Sequence, residues 1–219
     1  MGTGPSLRVL ITGFEPFDGS ARNPSWDAAS LVASTPPPGL DMAAAQLSCV
    51  FGKAIDELRE QVLLHKPDLV LCTGQAGGRP DITVERIAVN VDDARIPDNS
   101  GRQPIDEPVV KDGPAAYFST LPVKACVAAV QEAGLPASVS QTAGTFVCNH
   151  VFYGLMHLIA TEFPGIRGGF VHVPYLPEQV TASSEPAFPA ATIAEALRVI
   201  AATAASVTTD IRVTGGAVN

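Results

Sequence analysis

The sequence predicts an α/β fold in which a mainly parallel sheet is covered by helices. Three observations carry that expectation. Short apolar runs closed by glycine or proline alternate with segments whose apolar residues recur at helical spacing. Several of the runs are apolar at nearly every position, the pattern of strands buried on both faces. The 219 residues also contain no linker-like stretch in the middle, so a single core can hold the whole alternation.

Leu7 to Thr12 is an apolar run ended by Gly13, which suits a buried strand feeding a loop. Asn23-Pro24-Ser25 starts a helix, because proline is tolerated in a first turn where its missing N–H has no partner to lose. That helix passes through Trp26, Ala29, Leu31 and Val32 to the stop at Pro36-Pro37-Pro38. Met42 to Val50 fits a second strand. Lys53 to Leu64 fits a second helix, with Ile55, Leu58 and Val62 on one side and Asp56, Glu57 and Glu60 mostly on the other. Leu69-Val70-Leu71-Cys72-Thr73 is a third strand, closed by Gly74-Gln75-Ala76-Gly77-Gly78, and the βαβαβ order makes these strands parallel.

Ile82 to Val91 reads as one longer extended segment. Asp92 to Gly113, rich in Pro, Asp and Gly, reads as a loop of the length that is usually functional or mobile. A helix over Val123 to Ala133, a strand over Ala137 to Gln141, a helix over Cys148 to Ala160 and a strand over Gly168 to Val173 continue the alternation, with Pro174 as the stop. The last helix, Ala190 to Ala204, carries Ile193, Leu197 and Ile200 in an Ala-rich background suited to packing on the core or on another subunit. The expected organisation is a single α/β domain over 1–219, with 1–6 a flexible N-terminal extension and 209–219 a flexible tail.

Composition excludes several function classes. A net charge of -8 and a pI near 4.9, with no basic run, argue against a nucleic-acid surface, which needs clustered Lys and Arg. No apolar stretch reaches bilayer length, and Met1-Gly2-Thr3-Gly4-Pro5-Ser6 lacks the charge and apolar region of a signal peptide. The expectation is a soluble, cytoplasmic protein without a membrane partner. The four cysteines, at 49, 72, 126 and 148, form no CxxC pair and no zinc-like Cys/His spacing. Free thiols and no metal site follow.

Chemistry points to Gly144-Thr145-Phe146-Val147-Cys148-Asn149-His150. A short strand precedes this run, and Val151, Phe152, Leu155, Met156 and Ile159 follow at helical spacing, so Cys148 falls at a helix N-terminus. Free N–H groups and the positive end of the helix dipole there favour a thiolate and can hold an oxyanion. The alternative is a small buried cysteine with no chemical role. A nucleophilic thiol needs an imidazole, and four histidines are available. His150 is two residues on, about 200° around the helix, so it points away from Cys148. His157 lies about 13 Å along the axis and suits a structural role, and His65 sits at a helix end, where an imidazolium complements the dipole.

His172 comes late in an apolar strand, at the sheet edge where parallel α/β proteins gather functional residues and where Cys148 begins its helix. Glu85 is the candidate to orient that imidazole. Strand alternation places it on the apolar face with Ile87, Val89 and Val91, where a carboxylate needs a partner. A salt bridge to its neighbours or to Arg95 is the competing account.

Four ordered segments resemble the pyroglutamyl peptidases of class I, the pyrrolidone-carboxylate peptidases. They are Thr12-Gly13-Phe14-Glu15-Pro16-Phe17 with Asn23-Pro24; Thr83-Val84-Glu85-Arg86 with Ala94-Arg95-Ile96-Pro97-Asp98; the run Gly144 to His150; and His172-Val173-Pro174-Tyr175-Leu176-Pro177. The resemblance implies a three-layer α/β/α sandwich around a mixed sheet, a Cys148/His172/Glu85 triad, no metal or organic cofactor, and a homo-oligomer, dimer or tetramer. It implies hydrolysis of the amide bond after an N-terminal pyroglutamyl residue through a thioester, in a cytoplasmic cysteine peptidase. Arg95 and the Cys148 N–H would meet the oxyanion. Phe14, Phe17, Asn23, Gln75, Ile96, Phe146 and Val147 would bind the lactam.

Gln75 also has a plain turn-forming account, and Asn23 a helix-capping one. Asp18 departs from the resemblance, standing where many members have Gly. Two other functions compete: a non-catalytic binder of blocked N-termini, and a nucleoside- or phosphate-handling enzyme using Gly74 to Gly78 as an anion cradle. No GxxxxGK[ST] supports the latter.

Overall fold

A computed structural model describes residues 6–181 and 185–217. Its central sheet has six strands in the order β2-β1-β3-β8-β4-β7. These are β1 Leu7–Phe14, β2 Leu40–Leu47, β3 Leu69–Gln75, β4 Ile82–Glu85, β7 Ala137–Ser140 and β8 Arg167–Val173. All neighbours pair in parallel except β4 with β8, so the sheet is mixed and mainly parallel.

Among the described residues five helices cover its two faces: α1 Pro24–Ser34, α2 Lys53–His65, α3 Val123–Glu132, α4 Val147–Thr161 and α5 Ala190–Ser206. Alternation along the strands divides the core. Val9, Ile11, Leu69, Leu71, Val171 and Val173 face α1, α3 and α5, whereas Leu10, Val70, Cys72 and Phe170 face α2 and α4. Each fully buried aliphatic side chain contributes about 1.5–3 kcal/mol. The strands are therefore apolar on both faces, and the fold is a three-layer α/β/α sandwich. The apolar stripe of α5, with Ile193, Leu197 and Ile200 fully buried, packs on the core and not on another subunit.

The extended segment expected over Ile82 to Val91 is two strands. The chain leaves the main sheet at Arg86, whose N–H donates to the Ser140 carbonyl and whose carbonyl accepts from the Ser119 N–H. Beyond it, β5 (Ile87–Val89) pairs antiparallel with β6 (Ala116–Phe118), a strand the sequence reading missed. Period two therefore does not carry Glu85 onto a face shared with Ile87 and Val89.

The stretch from 92 to 113 is stitched by its own polar groups. Asp92 and Glu107 exchange backbone hydrogen bonds, and the Asp98 carboxylate accepts from the N–H groups of Phe51, Ser100 and Arg102. Burial pushes the Asp98 carboxyl up, but the Ser100 hydroxyl, donating at 2.7 Å, and then those N–H groups hold it below its ordinary range.

Residues 1–5 of the expected N-terminal extension and residues 218–219 of the expected tail lie outside the described residues. The described part of that tail is tied down. Pro122 offers α3 no side-chain cap, and the Asp210 carboxylate supplies one by accepting from the N–H groups of Lys124 and Ala125 at 3.0 and 2.9 Å. Lys124 and Arg86 in turn donate to the carbonyls of Val213 and Gly215.

Candidate active site

The carboxyl ends of β1, β3 and β8 and the N-terminus of α4 meet at one edge of the sheet. Cys148 is the second residue of α4, and the residue before the helix, Phe146, makes no side-chain cap. The first N–H groups of α4 have no intrahelical acceptor, so phenylalanine at this position leaves them open. The thiol sits over Gly74: a Cβ there would lie 2.7 Å from Cys148 Sγ and 2.8 Å from Phe170 Cζ. Gly74 is the register partner of His172 in the parallel β3–β8 pair, which puts the thiol beside the imidazole on the same face.

His172 is also the register partner of Thr83 across the antiparallel β4–β8 pair. Glu85, two residues beyond Thr83, shares its face and reaches the imidazole diagonally. The His172 Nδ1–H donates to Glu85 Oε1 at 2.7 Å, and the carboxylate is wholly buried. A carboxylate accepts only, so Nδ1 carries the proton and Nε2 is left as the base.

Burial pushes the Cys148 thiol above its ordinary value, helped by Cys49 and Glu85 and opposed by Arg79. Burial also lowers His172, with Glu85 opposing. Both directions favour a neutral thiol beside a neutral imidazole, so removal of water works against the thiolate that the helix terminus favours.

A cavity of about 250 Å³ opens on the thiol and imidazole. Phe14, Phe17, Asn23, Gln75, Phe146 and Val147 line it. Phe17 and Phe146 have ring centroids 6.2 Å apart, and Phe51 meets Phe146 edge-on at 5.4 Å. Asn23 caps α1, accepting from the Ser25 N–H, while its amide donates to the Glu15 carbonyl, so it shapes the Phe14 loop.

Arg95 and Ile96 stand elsewhere, on the wall of a wider cavity of about 620 Å³ that shares Phe17 and Gln75 with the narrow one. Arg95 is exposed and makes no ion pair among the described residues, which leaves the salt-bridge account of Glu85 to Arg79 instead.

Gly144, the first residue of the run that leads to Cys148, also lines the narrow cavity, as do Cys49, Arg79, Thr142 and Ala143, which sequence reasoning missed. For Arg79 the signal was its place directly after Gly74 to Gly78. Cys49 carried none. His150 is occupied elsewhere: Nδ1 donates to Asp92 at 2.8 Å and Nε2 accepts the Gly52 N–H at 2.8 Å. His157 bonds the Tyr117 hydroxyl.

The glycine-rich turn has a packing cause, since a Cβ on Gly77 would fall 2.1 Å from the Tyr175 hydroxyl oxygen. Asp18 adopts φ 51°, a left-handed conformation that glycine takes freely and aspartate tolerates. Among the described residues no group of three or more His, Cys, Asp or Glu side chains is placed to hold a metal ion, and no helix is long and apolar enough to cross a membrane.

A three-layer sandwich with its cavity at the carboxyl edge of a mainly parallel sheet defines an α/β enzyme. Comparison with known proteins narrows the class. The model of one family, described as pyroglutamyl peptidase, matches residues 7–208. A pyrrolidone-carboxylate peptidase of Streptomyces coelicolor is 68% identical over 212 residues, covering 96% of this chain and 98% of its own. The crystal structure of pyroglutamyl peptidase I from Bacillus amyloliquefaciens superposes with a TM-score of 0.93 at 47% identity, over 95% of this chain and 100% of that one. The pyrrolidone carboxyl peptidase of Thermococcus litoralis gives 0.91 at 36% identity, over 95% and 99%. The chain belongs to the pyroglutamyl peptidase family and is a peptidase, hence a hydrolase.

Proposed function

We propose that this chain removes N-terminal pyroglutamyl residues from peptides by thiol catalysis. One observation carries the reading: a thiol and an imidazole, the latter bonded to a buried carboxylate, meet at an aromatic cavity of about 250 Å³. The lactam ring is compact, flat and uncharged. Phe14, Phe17 and Phe146 suit its faces, with Gln75 at the polar edge.

In the first step the Cys148 sulfur attacks the pyroglutamyl carbonyl as His172 Nε2 takes the thiol proton, and Glu85 holds the imidazolium. The Cys148 N–H meets the oxyanion, with Arg95 as the side-chain donor reaching in from the wider cavity. The C–N bond then breaks, and His172 returns the proton to the leaving amine, which departs through that wider cavity. Water, deprotonated by His172, hydrolyses the thioester to free pyroglutamate and thiol. No step calls on a cofactor.

The setting is cytoplasmic in this reading, and copies associate as dimers or tetramers. Exposed Leu63, Leu64, Ile105 and Phe118 supply apolar surface for association, which sedimentation would detect. The test of the chemistry is release of a chromophore from a pyroglutamyl amide. Wild type turns over, and Cys148→Ala, folded by circular dichroism, loses at least about 10³-fold. Turnover retained in that variant sinks the nucleophile assignment.

A further inference from the structure

We propose that Arg79 is a positioning residue of this reaction, acting through Glu85 on His172 and through Thr142 on the segment that leads to Cys148. The inference rests on the thiol-peptidase reading above. Its geometry is specific. One guanidinium nitrogen of Arg79 donates to Glu85 Oε1 at 2.7 Å, to Thr83 Oγ1 at 2.6 Å and to Ser140 Oγ at 3.3 Å. The other donates to the Thr142 carbonyl at 3.0 Å. Glu85 Oε1 thus receives Arg79 and His172 together, while Oε2 has no partner among the described residues.

Two consequences follow from the physics of a buried carboxylate. A wholly buried carboxylate is costly unless a cation stands beside it, and Arg79 supplies that cation at 2.7 Å. By bonding the same Oε1 that accepts from His172, Arg79 fixes which oxygen faces the ring. Burial of the ring lowers His172 first, Glu85 opposes it, and the positive charge of Arg79 adds to the lowering.

The other titratable groups at the cavity are thiols, Cys148 from α4 and Cys49 from the turn after β2. Apart from His172, Arg79 is the basic group paired with Glu85 among the described residues. Its second arm matters equally. Thr142 Oγ1 accepts the Gly144 N–H, so the grip on the Thr142 carbonyl sets the path of the chain into α4.

The test measures kcat, KM and the pH dependence of kcat/KM on a pyroglutamyl amide for wild type, Arg79→Gln, Arg79→Lys, Glu85→Gln and the Arg79→Gln/Glu85→Gln double variant. Arg79→Gln is expected to lose about 10²-fold in kcat, the scale of a misplaced catalytic group, with its acid limb moved to higher pH by about half a unit or more. Arg79→Lys restores the limb, because the charge returns, but only part of the rate, because the fork does not. In the double variant the Arg79 loss shrinks, since its target is gone.

An unmoved acid limb, a loss confined to KM, or additive losses in the double variant would each overturn the proposal. If Arg79→Gln does not fold, Arg79→Lys alone decides it, by showing reduced kcat with an unmoved limb or not. Failure of the underlying reading is separable, because wild type would then show no thiol-dependent turnover at all.

Discussion

At Cys148 two effects oppose each other, and the larger sets the chemistry. The open N–H groups of α4 favour a thiolate, yet withdrawal of the thiol from water raises it above its ordinary value. His172 is lowered by its own burial. Attack therefore begins from a neutral pair, and the activity requires His172 unprotonated. As pH falls through the depressed imidazole value the base is lost, so the acid limb of kcat/KM lies below about 6.5, the ordinary histidine value. A limb at or above that value, measured on a pyroglutamyl amide, contradicts the neutral pair. Residues such as Cys148 and His172 were legible in the sequence because each stands at an element boundary. Arg79 was marked only by its place after Gly74 to Gly78; its role was not legible, since its partners come from β4, β7 and the loop after β7.

Among the elements, β3 and α4 come together where Gly74 runs under the nucleophile. Gly74→Ala places a methyl group 2.7 Å from Cys148 Sγ and 2.8 Å from Phe170 Cζ. The short cysteine side chain must move, and kcat is expected to fall about 10²-fold while circular dichroism stays native. Unchanged kcat would show that the thiol has room to spare. At α3 the prediction is one of stability. Asp210 caps a helix that begins at proline, so Asp210→Ala should cost about 1 kcal/mol, read as a lower melting temperature with kcat unaltered. The main elements were legible because their periodicity is local. β6 was not, because three residues carry no period and exist as a strand only by pairing with β5.

For the whole molecule, buried thiols and the buried imidazole bracket the pH range of stability. His172 titrates lower folded than unfolded, so its contribution is complete above about 6.5 and is lost as pH falls through its folded value. Cys49, Cys72 and Cys126 are each pushed up from 9.0 to about 12 by burial. Unfolded thiols ionise first as pH rises, so stability is complete below 9.0 and erodes from there towards 12. Melting temperatures should peak between these limits. A Cys72→Ala/Cys126→Ala variant, weaker at neutral pH, should lose less on going above pH 9.0 than wild type does. An equal alkaline loss would show that other groups cause it.

The sequence by itself determined the α/β alternation, the helix start at Cys148 and the strand end at His172, because hydrophobic periodicity, prolines and glycines act over a few residues. It was right that Glu85 is buried and needs partners, although the alternation used to place it breaks at Arg86. Only the tertiary structure decided that β4 runs antiparallel to β8, that Arg79 and His172 share one oxygen of Glu85, and that Arg95 stands in the neighbouring cavity. Those are questions of register and of which distant groups shield one another from water. No local pattern encodes them.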